Sequence, residues 1–307
     1  MRGQPVLSGT AAVGAPCRRY GRHGLNPIGT RRRTEARRHL RRLLREGDDL
    51  DVIEAGLWIA AEEYPELDVG HELERVRLIC GEGARLVYAL SNPFARLDGL
   101  RTYLFDVLGF RGNETDYNDP RNSYLNEVLD RRLGNPLTLS ILLLEAARAA
   151  GFEARGVGLP GHFVCRVTFA GRTLLVDPYH GGQLISQDDC RQLVAKTTGR
   201  PSLFRASLLD GTSDRAVLGR MLLNLKHIYV KREDYVRALW IVERLLLVNP
   251  GDTNELRDRG FLNAHLGHSG AAMADLETYL DRTPEARDAD SVRGRLAWLR
   301  RRISEIN

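Results

Sequence analysis

The sequence predicts an α+β chain: a helical N-terminal part, a helix packed on an antiparallel sheet, and an all-α repeat region. Three observations predict it. Apolar residues at helical spacing recur from Ala36 to Leu108, a capped helix followed by strand-like runs occupies residues 135–177, and apolar positions repeat every 34 residues after about Ser213.

A chain of 307 residues can hold two compact domains or one large one. Its 43% hydrophobic and 28% charged content is that of a globular protein. No stretch approaches the length of a membrane span, so no membrane role is expected. The charge is uneven. Residues 1–45 hold 12 Arg against one Glu, a net +11, while the whole chain is +5, which leaves −6 for residues 46–307. A basic leader on a mildly acidic body supports salt-sensitive phosphate contacts but no specific nucleic-acid recognition. Residues 1–33 carry no apolar period and are read as a disordered leader or an over-extended start. Their Arg-rich, acid-poor character also fits a transit peptide, and no secretory apolar core is present. Cys17, Cys80, Cys165 and Cys190 lie far apart, without C-x-x-C or zinc spacing. They read as thiols of a reducing, cytoplasmic compartment.

Leu50, Ile53, Leu57 and Ala60–Ala61 share one helical face, and Glu72 to Cys80 and Ala84 to Leu90 continue the pattern. Leu97, Leu100, Leu104 and Leu108 mark a further helix. Residues 111–120 (RGNETDYNDP) form a polar passage suited to a structured, functional surface loop. A short helix then ends near Gly134. Asn135-Pro136 is a strong helix start, with Asn as cap and Pro at the first helical position. Leu139, Leu142, Leu143, Ala146 and Ala150 give this helix a buried stripe, and Gly151 stops it. Strands are expected over 154–158, 162–169 and 173–176, with a turn at Leu159-Pro-Gly161.

Beyond Ser213, Ala238 and Ala272, Val242 and Leu276, Leu246 and Leu280, and Pro250 and Pro284 are each 34 residues apart, the tetratricopeptide period. Two repeats are visible, and Val292, Leu296, Leu299 and Ile303 lie on one face of a closing helix. Such an array offers a groove to a protein or peptide partner; the plainer reading is a helical stack that shields its neighbour. The expected division is a leader over 1–33, an α+β domain over 34–210 and repeats over 211–307.

His162 opens one strand and Asp177 closes the next. Antiparallel pairing across Ala170-Gly-Arg172 brings these ends side by side, the base half of a catalytic triad. A nucleophile would come from a helix start, where the dipole lowers a thiol pKa, and the available start is Asn135-Pro136. The helix and its cap, "GVGLPGHFVCRV" and "VDPYHGG" resemble the transglutaminase-like superfamily. With "LFDVLGFRGNETDYNDPRNSYLNEVLDRRLGNPLTLS" and the repeats they are similar to its bacterial SirB-type branch, which joins such a domain to tetratricopeptide repeats. The resemblance covers roughly residues 45–300. It implies a papain-like helix-on-sheet core, with His162 and Asp177 at the triad His and Asp. The nucleophile position falls on Pro136 or Asn135, neither of which is a nucleophile.

Several readings of this site stay open. A hydroxyl of Thr138 or Ser140 could replace the thiol, although both more often satisfy backbone groups. Strand alternation turns Cys165 away from His162 into the core, and Cys190 and Cys80 also read as packing residues. His162, Asp177 and His180 could form a metal set, but His180 sits in a flexible Gly-Gly turn with no fixed direction, so no metal or other cofactor is expected. His162 and Asp177 could be a retained structural pair. Alternatively, the helix N-terminus, His162 and Arg166 could hold an anionic group, with Asn122, Asn126, Tyr117 and Asp119 at the rim. The favoured function is a Cys-less, non-catalytic protein-interaction or regulatory factor. The alternative is a hydrolase or acyltransferase of amide or ester bonds that uses His162–Asp177 with another nucleophile.

Overall fold

A computed structural model describes residues 27–45 and 50–304. They fall in two compact units, Asn26–Met221 and Leu222–Asn307. The division lies inside a helix, whereas the sequence reading put it at 210/211.

In the first unit, α1 (Pro27–Leu43) begins earlier than expected, so residues 27–33 of the anticipated leader are helical. The rest of that leader lies outside the described residues. Proline at the first helical position supports the start. Arg32 then donates to the Pro65 carbonyl and pairs with Glu66, and Arg33 donates to the Glu62 carbonyl. Ala36 and Leu40 are fully buried. The helices α2 (Val52–Glu63) and α3 (Val69–Val87) follow, each capped by an Asp side chain, Asp51 and Asp68. Next come α4 (Pro93–Arg101) and a π-helical turn at Thr102–Val107. The two-residue strands β1 (Arg111–Gly112) and β2 (Leu133–Gly134) pair in parallel around the polar loop and α5 (Leu125–Arg131). This small sheet has no period to betray it in the sequence.

The centre of the unit is α6 (Pro136–Ala149). The expectation was one buried stripe, but nearly every residue is buried, Leu137 through Leu144 without interruption. The helix packs on strands on one side and on α3 and α4 on the other. Full burial of each leucine stabilises by about 1.5–3 kcal/mol. The main sheet is an antiparallel meander of β3 (Glu153–Leu159), β4 (His162–Phe169), β5 (Arg172–Asp177) and β6 (Gln183–Ile185), in that order. The first three match the expected strands; β6 is an addition. The Pro160-Gly161 turn requires Gly161 at φ +79°, where a Cβ would also fall 2.6 Å from the Thr197 hydroxyl. A second apolar layer of Val157, Leu159, Val164, Cys190 and Val194 covers the sheet through α7 (Gln187–Thr198). Arg148 near the end of α6 makes a bidentate pair with Asp214, at 2.9 and 2.8 Å, at the start of α8 (Asp214–Lys231).

The second unit contains α9 (Tyr235–Val248), α10 (Thr253–His265), α11 (Ser269–Arg282) and α12 (Ala289–Ser304). The 34-residue correspondence is structural: Ala238, Ala272, Val242 and Leu276 are all fully buried. Phe261, Ala272, Leu276 and Tyr279 form a core with Val292, Leu296 and Leu299 of α12. A chain of buried charges runs beside it. Lys226 Nζ lies 2.7 Å from Glu255 and 2.6 Å from Asp258. Arg257 joins Asp258 to Asp288, which accepts the Tyr279 hydroxyl at 2.6 Å. Burial raises the Glu255 pKa in spite of the Lys226 charge. No helix among the described residues is long and apolar enough to cross a membrane.

Lys226→Ala would leave buried Glu255 without its cation and Asp258 with Arg257 alone. It should destabilise the repeat unit by about 3–5 kcal/mol, read from denaturant unfolding.

Candidate functional site

Asp177 ends β5 and caps a single 3₁₀ turn, Pro178–His180, by accepting the Tyr179 N–H on Oδ1 at 3.1 Å. The antiparallel register places it near the start of β4. His162 Nε2 lies 2.8 Å from Asp177 Oδ2, and both residues are buried. His180 Nδ1 meets the same oxygen, also at 2.8 Å. The 3₁₀ turn therefore gives His180 the fixed direction that the sequence did not reveal. Burial pushes the Asp177 pKa up, but the hydrogen bonds and charges of His162 and His180 outweigh it, so the group stays ionised below the usual carboxylate range. A carboxylate only accepts, so each ring donates: His162 from Nε2 and His180 from Nδ1.

Tyr179 completes the cluster. Its ring stands edge-on to His162 at 6.1 Å, to His180 at 5.2 Å and to Tyr117 at 6.0 Å between centroids. Its hydroxyl donates to the Asn113 carbonyl at 3.2 Å. The ring lies so close to Gly112 that a Cβ there would fall 2.5 Å away, which explains a glycine in β1. Burial pushes the Tyr179 pKa up to about 12. Arg220 of α8 donates to the Leu159 carbonyl, just before the turn into His162, at 2.9 Å. Burial lowers its pKa, and the Tyr117 phenol acts the other way. The aromatic role of Tyr179 had only its place between Asp177 and His180 as a signal. Arg220, far along the chain, had none.

The start of α6 is closed by its own side chains. Asn135 Oδ1 accepts the N–H groups of Leu137 and Thr138 at 2.9 and 3.0 Å, and Asn135 Nδ2 donates to the Ser123 hydroxyl at 2.9 Å. The Thr138 hydroxyl accepts the Asn135 N–H at 3.1 Å and donates to the Asn122 carbonyl at 2.8 Å. The Ser140 hydroxyl donates to the Pro136 carbonyl at 2.7 Å. All three polar side chains are buried and committed to the backbone or to a neighbour. The amides expected to hold an anion are thus already satisfied.

The anticipated rim is only partly assembled. Tyr117 is half exposed and joins the cluster through Tyr179. Asn122 is buried and spends its amide within the loop, donating to the Asp116 carbonyl and accepting from Asn113. Asp119 is occupied by Arg121 and Arg131. Asn126 is buried in α5 with its Oδ1 unpaired. Arg166 is not brought to the pair: it sits mid-strand, with three residues of β4 between it and His162, and donates to the Asp210 carbonyl at 2.9 Å.

The thiols are buried as well. Cys165 Sγ donates to the Ser140 carbonyl on α6 at 3.5 Å, and burial pushes its pKa up to about 12. Burial pushes Cys80 up to about 12 and Cys190 to about 11. Cys17 lies outside the described residues. With Cys17→Ser, the native chain should react with a disulfide-exchange reagent at pH 8 far more slowly than the unfolded chain, in which three thiols titrate. Separately, His162→Ala removes one of three donors to a buried carboxylate. It should cost about 1–3 kcal/mol in a urea unfolding curve, with the overall fold kept by circular dichroism.

A family model described as the transglutaminase-like superfamily matches residues 69–223, just over half of the chain. A tetratricopeptide-repeat model matches residues 225–297. A UPF0162 protein of Xylella fastidiosa is 34% identical over 83% of this chain and 92% of its own length. UPF0162 proteins of Pseudomonas aeruginosa and Vibrio cholerae are 30% and 28% identical, over 75% and 77% of this chain and 83% and 88% of their own lengths. No solved structure matches. With its buried helix on an antiparallel meander, its paired His162 and Asp177 and these matches, the chain belongs to the transglutaminase-like superfamily and stands with the bacterial UPF0162 proteins.

Proposed function

We propose that this protein is a non-catalytic transglutaminase-like factor of the SirB-type branch, without a cysteine at the nucleophile position. In this reading it acts in the cytoplasm as a protein-interaction or regulatory factor, with its tetratricopeptide unit receiving a peptide segment of a partner. The observation that carries the proposal is the start of α6. The Asn135 side chain is spent on capping, and the resemblance implies that Asn135 or Pro136 occupies the superfamily's nucleophile position. Further support comes from the burial of Cys80, Cys165 and Cys190, the free thiols among the described residues. The 34-residue repeats with their apolar core support the binding role.

The second reading, an acyltransferase or hydrolase with a hydroxyl nucleophile, draws on the intact His162–Asp177 pair. Against it stand Thr138 and Ser140, whose hydroxyls donate to the carbonyls of Asn122 and Pro136. A general base needs its nucleophile within hydrogen-bond reach.

The two readings separate in one assay, run with chelator present so that only side-chain chemistry is read. The full chain and its His162→Ala variant are incubated with a glutamine peptide plus an amine donor, and separately with an activated ester. Product formation at the uncatalysed rate in both proteins is expected. Turnover by the wild type that His162→Ala abolishes would overturn the proposal in favour of the enzyme.

A further inference from the structure

The His162–Asp177–His180 arrangement has an uncommon feature: two imidazole nitrogens converge on one carboxylate oxygen. A lone His–Asp pair needs one such contact to orient a base, and the second ring adds nothing to that role. We propose that His162 Nε2, the Asp177 carboxylate and His180 Nδ1 form a binding site for a borderline divalent cation of the zinc class.

The geometry suits such an ion. The three ligand atoms all lie within 4.8 Å of one another, with both nitrogens 2.8 Å from Asp177 Oδ2. Zinc–nitrogen and zinc–oxygen bonds of about 2.0–2.2 Å in a tetrahedral site set ligand atoms roughly 3.4 Å apart. A small outward shift of the two rings therefore admits an ion. The set of two imidazoles and one carboxylate selects zinc-class metals over magnesium or calcium, which take oxygen ligands.

The surroundings hold the ligands in place. The Tyr179 N–H fixes the other carboxylate oxygen, and the Tyr179 ring, anchored through its hydroxyl on Asn113, stands edge-on to both imidazoles. Orientation of ligands by neighbouring hydrogen bonds is what metal sites require. Access is from one side: His162 and Asp177 are buried, while the His180 side chain is 38% exposed. The proton balance is simple. Binding leaves the remaining N–H on Nδ1 of His162 and Nε2 of His180, and the proton displaced from each ligating nitrogen moves to that atom in a neutral ring or to solvent from a protonated one, which frees a lone pair for the ion. The fourth coordination position, on the His180 side, falls to water or an exogenous ligand.

The inference is independent of the proposed function, because it is read by ion binding without any substrate. The full chain is stripped with chelator, exchanged into chelator-free buffer, and titrated with cobalt(II) and zinc(II) against a chromophoric competitor. One equivalent should bind. The cobalt form should show ligand-field bands without thiolate charge transfer, and zinc but not magnesium should raise the melting temperature. His180→Ala removes a partly exposed donor to Asp177, so it should lower the metal-free melting temperature no more than His162→Ala does, and lose more than about 100-fold in affinity. His180→Gln should lose affinity likewise, and serves if the alanine variant fails to fold. His71→Ala, an exposed histidine on α3, should bind as the wild type does. Absence of saturable binding would overturn the site, as would unchanged affinity in the His180 variants, a thiolate spectrum or equal binding of magnesium.

Discussion

A helix buried on every side has no water to satisfy the amides of its first turn, and α6 is such a helix. The four N–H groups at a helix start must find partners, and burying one without a partner costs on the order of 1–3 kcal/mol. Here Pro136 removes one such group, the Asn135 side chain accepts the N–H groups of Leu137 and Thr138, and the Thr138 hydroxyl accepts that of Asn135 and donates to the Asn122 carbonyl, while Ser123 holds the Asn135 amide in place. The polar loop follows from this constraint. Its asparagines pair with one another and with loop carbonyls, so the segment that looked like a binding surface is largely the seal over the helix start. A free nucleophile at the same place would conflict with that seal, which ties the absence of reactive groups on α6 to the packing of the whole domain.

Asp177 is the second organising residue. It ends a strand, caps a 3₁₀ turn and accepts two imidazoles, and its ionised form is kept by those donors against the cost of burial. Tyr179 joins this carboxylate cluster to the loop through Asn113 and to the small parallel sheet through Gly112. The site is therefore built from three separate stretches of chain, and the cluster and the α6 seal share the loop as a common wall.

The repeat unit solves a different problem. Its helices pack through small and apolar residues at matching positions, Ala238 with Ala272 and Val242 with Leu276 in the two repeats. Alongside lies the buried chain of Lys226, Glu255, Asp258, Arg257 and Asp288. Buried ion pairs add little net stability over apolar packing, but each member is costly to leave unpaired, so such a network penalises any other register of the helices.

The sequence by itself determined the elements and the pair at the heart of the site. The Asn-Pro cap, the turn-bounded apolar runs of β4 and β5 and the 34-residue period are patterns of the chain itself, read without a partner. His162 and Asp177 were legible because one short turn joins their strands and leaves few registers to choose from. Tertiary structure alone decided what each polar group was free to do. Thr138 and Ser140 were candidates until packing gave them carbonyls, Arg166 until its reach along β4 fell to Asp210, and His180 had no direction until Asp177 capped its turn. The physical reason is that hydrogen-bond commitment depends on groups brought close only by the fold, as Arg220 and Gly112 also show, whereas helix and strand periods depend on the chain's own geometry.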